Sequence, residues 1–517
     1  MSDTLTAAKV EEIVNSIVTR THNLLTPFTS PDPTAFSNPP NGASYRVTAT
    51  TATGQTIIGE SQPLTVSADR FTWTKPFGGT GTEFAIAVCT DSGGNIYTVG
   101  SFTSPTNFGG VTLSPIGLQD VFLTKHSVVG TLMFAKQFGS AGAQYVAKNI
   151  CLDPSNNIFI SGTLAGGSLM KLDSSGVQQW VKGPVKSGSG FTSAFASFES
   201  ISAGSDGSIV ATGSFVAPLS NPLEFGDSHP LLSTSGSTDA FLAKYSSAGT
   251  CLWAYGFYNW GDTEYGTGVI VDRSDSNKIF LAGYHLSGIK IGEIVLGNGA
   301  SGASGYLAKF DSSGTLIGSL ARSIGVNGGQ TGYCRVNCMA LDSAGNVILG
   351  GDWNNNCDWG GGNRVSFAPQ QAAFFAKYNG TTLAYLWDLV VPSGLYTHVQ
   401  RIAVDASNNI YATGAFARAS IFGATTLTSL SDQNYTTDIF VTKITPSGSF
   451  VWAVQAGGTD AEGGNGIAVS ITNGTLNGPV AVGGFLNNVN GQPATFGSTK
   501  QTSNGGTDTF VMLLNPA

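Results

Sequence analysis

Histidine, cysteine and paired carboxylates are the side chains that commonly carry metal, nucleophilic and acid–base chemistry, and this chain holds them sparsely. Its five histidines, His22, His126, His229, His285 and His398, include no pair at metal-ligand spacing. No G-x-S-x-G, HExxH or phosphate-loop pattern occurs. Asp262 and Glu264 could meet as the two carboxylates of a glycoside-cleaving site, but a solvated loop is the plainer account. Cys89 and Cys151 stand where other copies of a repeat carry Ala340 or Ala403, as small buried thiols do. Cys334, Cys338 and Cys357 could approach one another, yet their spacing is no clean zinc pattern and a fourth ligand is missing. No catalytic residue, metal or cofactor is therefore expected.

Aromatic residues carry the stronger signal. The segment FYNWGDTEYG supplies Tyr258, Trp260 and Tyr265, GYHLSG supplies Tyr284 and His285, and GDWNNNCDWGGGNR supplies Trp353 and Arg364. Aromatic planes set among Asn, Asp and Gly suit stacking on sugar rings or a protein hot spot, so these seven are the ligand-binding candidates. Trp359-Gly360 reads instead as structural, this copy's version of the recurring Phe-Gly at Phe108, Phe225, Phe422 and Phe496.

A repeat must position these residues. One copy reads RIAVDASNNIYATGAF, then a stretch with Phe-Gly, then TDIFVTKITPSGSFVWAVQAGG. The lysine closing its third apolar run recurs at Lys125, Lys171, Lys244, Lys309, Lys377 and Lys443. Four short apolar runs in a unit of this length are the signature of a propeller blade. A seventh copy, ending in TDTFVMLL, lacks its fourth run, and FTWTKPFGGTGTE far upstream matches FVWAVQAGGTDAE of the sixth. The expectation is an all-β, seven-bladed β-propeller of four-stranded blades, its ring closed by Phe71–Phe77. The segments TDSGGN, LDPSNN, LDSAGN and VDASNN read as tight hairpins, because none has the ligand pattern of a calcium loop. Trp73, Phe134, Trp180, Trp253, Trp387 and Trp452 on the fourth strands are expected to pack between neighbouring blades.

Composition agrees with this scaffold. Of 517 residues 69 are glycine, and only 11% are charged. With 41% apolar and 10% aromatic residues the chain can bury a large core, which excludes disorder. A formal net charge of −8 argues against nucleic acid or an anionic membrane as partner, and no apolar run is long enough to insert in a membrane.

The units IAVDASNNIYATGAF, FLAKYSSAGTCLWAYGF and FAKYNGTTLAYLWDLV resemble the bacterial-type seven-bladed β-propeller repeat, the SBBP repeat family. The resemblance spans about residues 71–517, with blade two departing from it at SGTLAGGSLMKLD. It implies the fold and a surface or extracellular setting, not one reaction.

In such a ring the turns joining strands one to two and three to four share one face, and here they are short. The other connections are long and irregular, so their face is the expected binding face. Upstream, residues 1–26 read as an amphipathic anchor helix with its stripe at Val10, Ile13, Val14, Ile17 and Val18. Residues 27–44 read as a proline-rich extended linker and 45–70 as a small β segment at the base of the propeller, residues 71–517. MSDTLTAAK has no basic start or apolar core of a secretory signal. These features lead to the expectation of a virion surface spike or fibre protein. It would attach to a capsid or tail protein through residues 1–40 and present the long-loop face to a host glycan or protein. The helix could also join copies into a homo-oligomer. The alternatives are a bacterial cell-surface or secreted adhesion propeller, and a polysaccharide-acting hydrolase or lyase.

Overall fold

Each copy of the repeat forms one antiparallel sheet, and seven such sheets make the ring of a β-propeller. Blade 1 comprises Glu83–Thr90, Ile96–Phe102, Asp120–His126 and Leu132–Phe138. Blade 2 comprises Val146–Leu152, Ile158–Leu164, Gly167–Leu172 and Gln178–Lys182. Blade 3 comprises Phe195–Ala203, Ile209–Val216, Asp239–Tyr245 and Cys251–Phe257. Blade 4 comprises Glu264–Asp272, Lys278–His285, Ser304–Phe310 and Leu316–Ile324. Blade 5 comprises Gly332–Leu341, Val347–Asp358, Ala372–Tyr378 and Tyr385–Val391. Blade 6 comprises Tyr396–Val404, Ile410–Ala417, Asp438–Ile444 and Phe450–Gly457. Blade 7 takes Gly463–Val469, Val480–Asn487 and Thr507–Leu514 from the carboxy-terminal end, and its fourth strand is Phe71–Phe77, paired antiparallel to Thr507–Leu514. The ring closure expected from the sequence is formed.

The computed structural model describes residues 5–14, 17–24, 44–51, 56–60, 70–186, 195–217, 222–226, 229–231, 237–258, 263–297, 302–325, 332–365, 371–430, 436–470, 478–487 and 492–516. The chain divides into two compact units, Met1–Arg70 and Phe71–Ala517. In the first unit the structure places strands where an anchor helix was expected. Leu5–Val14 lies between Ile17–Leu24 and Ser44–Thr51, and Thr56–Glu60 completes the sheet. Val10, Ile13 and Val14 fall on one strand, Ile17 and Val18 on the next, and Val14 pairs with Ile17. The stripe consists only of Val and Ile, whose branched Cβ disfavours helix and favours strand, and that preference outweighs the helical spacing. The proline-rich segment lies outside the described residues up to Ser44, where the hairpin Ser44–Thr51/Thr56–Glu60 begins.

Within the ring the apolar core is divided into seven clusters, one between each pair of neighbouring blades. The Phe-Gly residues belong to these clusters. Phe108, Phe225, Trp359, Phe422 and Phe496 are all buried, and each packs on the third strand of its own blade, at Phe122, Phe241, Phe374, Phe440 and Phe510. Consequently the long connections do not stand free. Part of each folds back over the rim, and several bridge the preceding blade, as Lys290 does to Tyr258, Asp358 to Gly325 and Ser420 to Ser393. All six cysteines are free thiols.

The repeated lysine has a defined partner set. Lys171, Lys244, Lys309, Lys377 and Lys443 each donate from Nζ to a carbonyl of the next blade, at Ser247, Ser312, Gly380, Pro446 and Pro516, over 2.6–3.2 Å. Lys125, Lys244, Lys309 and Lys377 also pair with a carboxylate in the first turn of their own blade, most tightly Lys377 with Asp342 at 2.8 Å. The tryptophan opposite the lysine joins in. Trp180 and Trp387, cross-strand partners of Lys171 and Lys377, donate from Nε1 to the same Ser247 and Pro446 carbonyls. In the first turns an aspartate Oδ1 accepts from amides two and four residues on, as Asp342 does from Ala344 and Asn346. Burial alone would push the Asp342 carboxyl up, but Lys377 and Asn346 hold it below the usual carboxylate range.

Lys377 and Asp342 have side chains only 7% and 4% exposed, so removing one partner strands a buried charge. Lys377→Met should therefore cost about 3 kcal/mol of unfolding free energy, read from urea midpoints. Lys290→Met, which breaks an exposed pair with Glu293, should cost under about 0.5 kcal/mol. Equal effects would remove the special role assigned to the repeated lysine.

Candidate ligand site at the channel mouth

The inner wall of the ring is built by the first strand of every blade, and all seven of these strands are bulged at the same place. Register shifts skip Ile86, Lys148, Glu199, Thr267, Asn337, Gln400 and Asn465. Each stands five residues before the first turn's Asp or its equivalent, and six of the seven are polar. A bulge bends the strand and re-aims its extra side chain. Here several of these side chains tie neighbouring blades together around the channel. Lys148 pairs with Glu199 at 3.2 Å, Thr267 donates to the Val336 carbonyl, Asn337 to that of Val399, and Asn465 to that of Ala85. Within this collar the first strands enclose a channel cavity of about 170 Å³.

Above the collar, on the long-loop face, the channel widens into a funnel of about 430 Å³. Its wall comes from blades 3 to 6: Glu199, Tyr265, Thr267, Tyr284, Arg335, Asn337, Asp352, Tyr396, His398, Gln400 and Arg401 all reach it. Period-two alternation explains the set, because residues two and four positions before a bulge share its face. Tyr265 precedes Thr267, Tyr333 and Arg335 precede Asn337, and Tyr396 and His398 precede Gln400. The Tyr265 and Tyr284 rings lie 4.8 Å apart, and the Tyr396 ring meets His398 edge-on at 5.0 Å. The Arg335 guanidinium lies over the rings of Tyr333 at 4.7 Å and Tyr284 at 5.7 Å.

Burial dominates the electrostatics of this site. It pushes the Asp352 carboxyl up to about 6, against the opposing pull of the Asn337 hydrogen bond and the Arg335 charge. Asn337 Nδ2 donates to Asp352 Oδ1 at 2.7 Å, while Oδ2 is buried with no partner. Burial also lowers His398 to about 4, keeping it neutral near pH 7, and raises the Tyr284 and Tyr396 phenols to about 12. The site thus offers neutral aromatic faces, one exposed cation and one buried acceptor oxygen.

Of the seven residues singled out in the sequence, the funnel brings together Tyr265 and Tyr284. His285, the next residue, is buried beneath its own loop beside Gly297. Tyr258 sits on the outer rim, in a groove with Tyr255, Lys290 and Glu293. Trp353 is buried, edge-on to Trp359 at 5.1 Å. Arg364 pairs with Asp388 of the outer strand of blade 5 at 3.2 Å. Trp260 lies outside the described residues. Sequence reasoning missed Arg335, Asp352, Tyr396 and His398, although the polar position five residues before each turn aspartate marks the strand face on which three of them lie.

No family model matches the chain, and no curated protein matches it either. Among solved structures, the chain is similar to a protein from Lactobacillus plantarum at 10% identity, over 88% of this chain and 97% of the other, with a TM-score of 0.35. It is similar to virginiamycin B lyase from Staphylococcus aureus at 9%, over 72% and 88%, with a TM-score of 0.33. A protein of unknown function from Bacteroides caccae is similar at 7%, over 73% and 94%, with a TM-score of 0.34. At these values the likenesses bear on neither site nor activity, and the propeller rests on the chain's own strand pairing.

Because its folded-state value lies above that of the unfolded chain, the Asp352 carboxyl favours folding at low pH and opposes it once ionised. Asp352→Asn should therefore stabilise the protein by about 3 kcal/mol at pH 8. The gain should shrink as pH falls through 6 and vanish near pH 4. Urea unfolding of parent and variant at these pH values checks both sign and window.

Proposed function

We propose that the protein is a non-catalytic attachment protein whose propeller binds a saccharide in the funnel. The observation behind this reading is the wall itself: the faces of Tyr265, Tyr284 and Tyr396 gathered with Arg335 and Asp352 around one open cavity. Sugars offer apolar ring faces and hydroxyl groups together, and aromatic planes beside fixed polar atoms answer both. The setting we propose is a virion surface, with the Met1–Arg70 unit as the mount and the ring as the displayed part. A compact unit separate from the ring supports that division of labour.

An enzymatic reading has one observation in its favour. A neutral imidazole at His398 shares the cavity with Arg335, and a base beside a cation is what abstraction of a proton next to a sugar carboxylate needs.

A glycan array probed with the full chain should give saccharide binding that Tyr284→Ala weakens at least about tenfold, or ~1.4 kcal/mol. Bound oligosaccharides should be recovered uncleaved after prolonged incubation. Cleaved products would overturn the non-catalytic reading, and binding indifferent to Tyr284 would move the site elsewhere. In producing cells the full chain should co-purify with particles, whereas residues 71–517 alone should stay in the soluble fraction. Particle-bound residues 71–517 would dismiss the mount.

A further inference from the structure

The funnel holds a cation that its own architecture leaves open. Arg335 is exposed, and among the described residues no hydrogen bond or ion pair holds its guanidinium, which rests only on the rings of Tyr333 and Tyr284. Opposite it across the strand pair stands Asp352, 4% exposed, with Oδ1 taken by Asn337 and Oδ2 unpartnered. These residues pair in register, yet they do not close on each other as an ion pair. Tyrosine faces hold the cation, and the amide of Asn337 holds the carboxyl.

Resting on the saccharide reading, we infer that the funnel selects sugars bearing a carboxylate, with Arg335 as the clamp for the acid group. A planar carboxylate matches the guanidinium fork, which can give two parallel N–H donors to it. A neutral hexose would leave that fork without an anion. A phosphate dianion would set a doubled negative charge beside Asp352. A sugar acid places the single planar anion that the open guanidinium fork lacks on a ring whose faces suit the tyrosines.

Calorimetric titration of the full chain tests this with four probes: galacturonate trisaccharide, its methyl ester, sialyllactose and lactose. The acid of at least one pair should bind about tenfold or more tightly than its neutral counterpart, and which pair does so tells uronate from sialate. Arg335→Gln should abolish that preference while leaving the neutral sugar within about twofold, and Arg335→Lys, which keeps charge without the fork, should restore only part of it. Near-ultraviolet circular dichroism checks that each variant keeps its fold. Equal binding of acid and neutral forms, or a preference that survives Arg335→Gln, overturns the clamp and leaves the saccharide reading standing. A chain that binds none of these probes but binds other neutral glycans also overturns the clamp, whereas one that binds no glycan at all overturns both.

Discussion

The main-chain carbonyl of the turn between third and fourth strands is the point at which one blade fastens to the next. A lysine from the preceding blade reaches it, and in blades 2 and 5 a tryptophan N–H reaches the same oxygen. A nearly buried ammonium is costly unless its hydrogen bonds and charge are both met. The carbonyl meets one need and the first-turn aspartate of the lysine's own blade meets the other. Three hairpins are thereby fixed relative to one another: the inner turn and outer pair of one blade, and the outer turn of its neighbour. Apolar packing between blades has no comparable direction, so this polar joint and the inner collar of bulge side chains set the register of the ring.

The exception falls where the ring closes, in blade 7. In blade 7 the position opposite Trp73 is Leu513, so an apolar residue takes the place of the repeated lysine at this joint. Trp73 still donates to the Val128 carbonyl at 3.0 Å. Phe71–Phe77 pairs along Thr507–Leu514 as the fourth strand does in every other blade. Blade 6 adapts as well, with Lys443 reaching Pro516 near the chain end in place of a turn.

The scaffold was legible in the sequence because its determinants repeat. Turn aspartates, the strand-three lysine, the strand-four tryptophan and Phe-Gly recur with a period, and even the displaced strand showed through its match to Phe450–Gly457. In the first unit Val10 to Val18 carries the helical spacing, and the strand pairing of Val14 with Ile17 is not visible in a linear stripe. The site was half legible for a related reason. Tyr265 and Tyr284 stood in a conspicuous aromatic segment, but Arg335, Asp352 and His398 are isolated letters inside strands that read as scaffold. Trp353 looked available only because burial by Trp359 depends on how the long connection folds back.

Repetition also explains why a ligand site would sit off the axis of the ring. Seven equivalent bulges would give seven equivalent side chains, and a uniform collar would discriminate little. In this protein the bulge positions diverge: Ile86 is apolar, Asn465 is tied to Ala85, and Lys148 is spent on Glu199. Only blades 4 to 6 carry tyrosine, arginine or histidine on the strand face ahead of the bulge. The funnel is therefore lopsided, with its tyrosine, arginine and histidine side chains on one arc of the mouth. The lysine joints act at the outer turns, so the positions ahead of the bulge can differ from copy to copy while those joints stay the same. Recognition can then arise where the repeat breaks its own pattern while the joints that keep it closed stay the same.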